Sequence, residues 1–188
     1  MKKHKRKVVH SYVDPREKAK AMFKAMNMTD GQAKREAYGD ILTIFFVALR
    51  RLPKDRFGVT RLARLYDAMH ELDADIAAGY ANLADMREQL AKEAHMQLDA
   101  ETAMETMKRK KHWGKVKYRV TSYMSALYMW SLHDTFGWSM TRIWRAYKIC
   151  VDIANKLNAG TVKIDALEAE LDRSGWQRRN EKWEIVTA

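Results

Sequence analysis

The residues with the clearest chemical potential are His133 and Asp134, adjacent in the chain. A metal-dependent phosphohydrolase built from helices needs an upstream His, a His-Asp pair and a later Asp. His95 or His112, His133, Asp134 and Asp152 stand in that order. Such a set would hold a divalent cation and activate a water. A second candidate is arginine at a fixed spacing: Arg61 and Arg64 follow Thr60, and Arg142 and Arg145 follow Thr141. Near a helix N-terminus they would add their charge to the partial positive charge already there and could hold a phosphate. In the structural alternative each arginine pairs with the preceding Asp55 or Asp134 and Phe57 or Phe136 folds into the core, since arginine–carboxylate pairing is geometrically specific. A third candidate is the run 106–119. It carries seven Lys and Arg and no acid: Lys108, Arg109, Lys110, Lys111, Lys115, Lys117 and Arg119, around Trp113 and Tyr118. Basic groups contact phosphates and aromatic rings stack on bases, so this block reads as a nucleic-acid or partner contact.

Other chemistries lack their residues. Zinc spacing of Cys and His, a glycine-rich phosphate loop and a G-x-S-x-G elbow are all missing from the sequence. The single cysteine, Cys150, cannot form an intramolecular disulfide and lies on the apolar face of its segment. The expectation is a protein without catalytic, metal or cofactor sites, with Cys150 reduced in a cytoplasmic setting. The N-terminal MKKHKRK run is basic but no apolar signal segment follows it. The longest strongly apolar stretch, Ile41 to Leu49, is too short for a membrane span.

The elements that would position these residues read as helices. The chain has 188 residues, with 47% hydrophobic and 31% charged, and only eight Gly and two Pro. That is enough for a core and too few turn residues for an all-β protein. Pro15 with Asp14 as cap predicts a first helix. A second runs from Thr29 or Gly31 to Arg51, stopped by Pro53, and is apolar nearly all round. Leu62, Leu65, Met69, Leu72 and Ile76 give a helix over 60–78, with Gly79 as its left-handed cap. Further helices are expected from Asn82 to Ala91 or beyond, and over 98–111, 116–133, 140–158 and 164–172. Only Trp183, Ile185 and Val186 suggest extended chain.

Residues 60–90 match 141–171 at an offset of 81, with seven identities that include Arg61/Arg142, Arg64/Arg145, Tyr66/Tyr147 and Gly79/Gly160. Upstream, after a two-residue shift, Asp55-x-Phe57-Gly58 matches Asp134-x-Phe136-Gly137, which sets His133 against Lys54. The Asp then belongs to the fold and the His is not shared, which weighs against the metal site. Self-similarity of this kind predicts an all-α fold of seven to eight helices in two related three-helix units. The expected divisions are a basic arm over 1–28, unit 1 over 29–96, a basic connector over 97–119, unit 2 over 120–173 and a tail over 174–188.

The net charge of +11 is unevenly spread. Residues 1–24 carry nine basic and two acidic groups, whereas 67–105 carry ten acidic and two basic. The basic blocks fit nucleic acid or a nucleoprotein, and the acidic segment fits a basic protein surface.

The stretch 131–171 resembles small uncharacterised helical proteins of phages and prophages of Gram-positive bacteria. The resemblance rests on Leu132, His133, Asp134, Phe136, Gly137, Arg142, Arg145 and Gly160, while Trp138 and Met140 depart from it. It implies a context of anti-defence or regulatory accessory proteins. The resulting expectation is a non-enzymatic protein that binds a host nucleoprotein, as an anti-CRISPR-like inhibitor does. The alternatives are a standalone DNA- or RNA-binding regulator and, behind it, the phosphohydrolase.

Overall fold

The computed structural model describes residues 29–96, 112–180 and 182–186. Six helices and one short hairpin make up these residues: α1 (Asp30–Arg50), α2 (Val59–Ala78), α3 (Leu83–Ala94), α4 (His112–Phe136), α5 (Met140–Asn158), α6 (Ile164–Asp172), β1 (Trp176–Arg179) and β2 (Lys182–Ile185). The fold is mostly helical, as expected, but with six helices among the described residues rather than seven to eight. The helices expected at Pro15 and over 98–111 lie outside those residues. No described helix is long and apolar enough to cross a membrane.

Local chemistry sets the ends. Thr29 and Gln32 form a reciprocal capping box at the start of α1. Pro53 disfavours helix at the residue before it, and α1 stops at Arg50. Asn82 caps α3 by accepting from the Ala84 N–H. Gly79 and Gly160 take φ of 81° and 70°, the left-handed conformation that releases the chain after α2 and α5.

α1 is the centre of the molecule. Every residue from Ile41 to Leu49 is buried. It packs on α4, α5 and α6, while α4 in turn packs on α2 and α3. α5 and α6 thus dock on α1, and α2 and α3 dock on α4. At the crossing of α1 and α4 the Phe45 and Tyr128 rings stack with centroids 4.0 Å apart.

Similar contacts recur at the turns after α1 and after α4. The Phe57 N–H donates to Leu49 O, and the Trp138 N–H to Leu132 O. Arg50 Nη1 donates to Phe57 O, and His133 Nδ1 bonds Trp138 O at 2.9 Å. Arg61 lies over the Phe57 ring at 4.0 Å, and Arg142 over the Trp138 ring at 4.2 Å. The geometric counterpart of Phe57 is therefore Trp138, not Phe136, and that of His133 is Arg50, not Lys54. The segment from Leu49 to Phe57 is two residues longer than that from Leu132 to Trp138, and the D-x-F-G identity hides that difference. The long helices correspond at an offset of 83, the separation of Phe45 and Tyr128.

The C-terminal hairpin breaks the likeness. β1 and β2 pair antiparallel, with Trp176 opposite Ile185 and Arg178 opposite Trp183. Both tryptophans are buried and meet Phe46 edge-on, at 5.4 and 5.1 Å. The hairpin contacts α6 through β1 and α2 through β2. Its extended segments were visible in the sequence only at Trp183 and Ile185. Phe46→Ala is expected to cost about 3–5 kcal/mol, the usual loss for a fully buried ring. A urea titration followed by tryptophan fluorescence measures it directly.

Candidate functional site

A groove of about 880 Å3 lies between α1, α2, α3 and α4. Its floor is apolar: Val116, Val120, Met124 and Leu127 on α4, with Met69 and Leu83 opposite. Its rim is basic. Lys34 and Arg35 come from α1, Arg87 from α3, Arg119 from α4 and Arg178 from β1, against the acids Asp30 and Asp73.

The walls carry hydrogen-bonding rings. Tyr38 Oη lies 3.2 Å from His70 Nε2, and the Tyr123 hydroxyl donates to the Asp73 carboxylate. Tyr66 meets His70 edge-on at 4.5 Å. Burial raises the Tyr38 phenol above its ordinary value, with Tyr66 adding to the effect. Burial and then the bond to Asp73 do the same for Tyr123. Both phenols therefore stay protonated and remain donors at neutral pH.

Arg178 reaches this rim because of a glycine. Gly39 is buried inside α1, where glycine costs about 1 kcal/mol relative to alanine. A Cβ there would fall 2.0 Å from Arg178 Nη1, so the bare backbone leaves room for the guanidinium. Glu168 holds the same group from α6 at 3.7 Å.

Few of the residues singled out in the sequence meet at this groove. Arg119 does. Lys108, Arg109, Lys110 and Lys111 lie outside the described residues, and Trp113 falls in the first turn of α4. Lys117 is paired with Glu36 at 3.0 Å, and Lys115 is half-buried. Tyr118 lines a smaller cavity of about 160 Å3 between α1, α4 and α5. The arginine pairs lie at the starts of α2 and α5 and bridge the halves. Arg142 pairs with Asp55 at 2.5 Å, a carboxylate of the other half, rather than with Asp134. Arg64 donates to Thr135 O and lies over the Phe136 ring, and Arg145 is exposed. Of the rings, Phe57 is fully buried, while Phe136 is only half-buried and meets it at 5.0 Å.

The residues proposed for a metal also have other roles. His133 closes the turn onto Trp138, His95 is the left-handed cap of α3 and Asp152 pairs with Lys156. Among the described residues no three His, Cys, Asp or Glu side chains are grouped to hold an ion. The groove residues Tyr38, His70, Asp73 and Tyr123 were missed because they come from three helices and form no motif. No protein-family model, no curated protein and no solved structure matches the chain.

Cys150 is buried, and burial pushes its thiol up to about 12. Burial also raises Tyr128 beside it. In the native chain these groups, with Tyr38 and Tyr123, keep protons that the unfolded chain releases. Stability is therefore complete below the ordinary thiol value of about 8.5 and falls as pH rises above it. Urea midpoints measured at increasing alkaline pH are expected to decline. Iodoacetamide is expected to label Cys150 far more slowly in the native chain than in urea.

Proposed function

We propose that this chain is a non-enzymatic accessory protein of a phage or mobile element that binds nucleic acid, engaging a host nucleoprotein as an anti-CRISPR-like inhibitor of a nucleic-acid-guided nuclease does. One observation carries the reading: five basic side chains from four separate elements converge on the rim of one groove, with two acids among them. Phosphates are the commonest partner for arginines gathered in this way. The net charge of +11 and the basic blocks at 1–24 and 106–119 extend the same sign beyond the groove.

The scaffold of this surface is read as two related three-helix units, intertwined through their long helices. The support is the recurrence of three contacts: Arg50 and His133 on the next turn's carbonyl, Arg61 and Arg142 on a ring, and the paired N–H bonds to Leu49 and Leu132.

Fluorescence anisotropy with single-stranded DNA, duplex DNA and a structured RNA, each titrated with salt, tests the function. Binding at physiological ionic strength is expected. Lys34→Ala and Arg119→Ala are each expected to reduce the log–log salt slope by about one, the signature of one lost phosphate contact. Absence of binding to every probe at low salt overturns the nucleic-acid reading. A standalone regulator differs in preferring one duplex sequence over others.

A further inference from the structure

The two cavities occupy matching places in the two halves. Under the offset of 81, Met69, His70 and Asp73 of the large groove correspond to Cys150, Val151 and Ala154 of the small one. Under the offset of 83, Tyr38 corresponds to Thr121, and Met124 and Leu127 to Ile41 and Ile44. The floors are alike and the walls are not. Where the second half has Val and Ala, the first has His and Asp, on an otherwise apolar stripe. The second half shows that this architecture does not require those polar groups. His70 and Asp73 are exposed at the groove wall, so their hydrogen-bonding groups are within reach of a ligand there.

The volumes differ for a visible reason. Tyr147 lines the small cavity and narrows it to about 160 Å3. Its counterpart Tyr66 is drawn towards the hairpin instead, meeting Trp176 at 6.2 Å and Phe46 at 6.3 Å. The groove beside it stays open at about 880 Å3, the size of a site for a small organic ligand and too small for a duplex.

We infer that the large groove receives unpaired bases of a single strand, with the strand's phosphates on the arginine rim. The inference rests on the nucleic-acid reading and adds the site and the form of the ligand. The apolar floor takes the face of a base and removes it from water. His70, Asp73 and Tyr38 offer acceptors and donors for a base edge. The rim cations Lys34, Arg35, Arg87 and Arg119 match the backbone charge.

The test compares an oligothymidylate with an abasic strand of the same phosphate number, by anisotropy, on the full chain. The wild-type protein is expected to bind the base-carrying strand about tenfold or more tightly. The variant Tyr38→Thr/His70→Val/Asp73→Ala writes the second half's residues into the first. It is expected to lose that preference and bind the base-carrying strand no better than the abasic one. An oligouridylate run in parallel identifies whether DNA or RNA is favoured. Equal wild-type affinity for the two strands overturns the inference while leaving phosphate binding intact. A preference that survives in the folded variant overturns it too, since the bases are then read elsewhere. If no strand binds, the nucleic-acid reading itself fails and the inference goes with it. The wild-type comparison decides even where the variant does not fold.

Discussion

The stack of Phe45 on Tyr128 is the contact from which the rest of the architecture is built. It fixes where α1 crosses α4, and every other helix takes its place from that crossing. α5 and α6 lie along α1, and α2 and α3 lie along α4. A helix flanked this way has no face left for water, which is why α1 reads Ile-Leu-Thr-Ile-Phe-Phe-Val-Ala-Leu without an interruption by charge. The one hydroxyl in that run, Thr43, donates to Gly39 O at 3.0 Å and so stays satisfied in the core.

The C-terminal hairpin distinguishes the surroundings of α2 from those of α5. Trp176 and Trp183 occupy the side of α1 at Phe46, and Trp176 also meets Tyr66 edge-on. The same hairpin supplies Arg178 to the groove's rim. Gly39 and Glu168 then hold the arginine in place from two different helices. A short extended segment thereby adds a cation to the groove's rim.

Much of this was legible in the sequence where local chemistry decides. The bounds of α5 and α6, the left-handed Gly79 and the cap at Asn82 follow from periodicity and end residues alone. The hairpin was less visible, because strands of four residues carry too little alternation to read. The D-x-F-G match misled for a physical reason. Residue identity was preserved while the loop length changed, so Trp138 took over the place of Phe57 under the arginine. The sequence pairs Arg142 with the preceding Asp134, yet the carboxylate it finds is Asp55, ahead of α2. The groove was hidden because its walls come from segments far apart in sequence. One signal for it was present: His70 and Asp73 stand against Val151 and Ala154 on stripes that otherwise exchange apolar for apolar.

Intertwining also has a kinetic consequence. Helical proteins usually fold fast because their contacts are local in sequence. Here the central ring stack joins residues 83 apart, the Arg51–Glu170 pair joins residues 119 apart, and the hairpin's tryptophans must find a ring on the first described helix. Neither half can bury its long helix before the other has been made. During synthesis, α1 therefore waits with its apolar surface uncovered until most of the chain has left the ribosome. The molecule has the composition of a quick-folding bundle and the loop-closure burden of a β-sandwich.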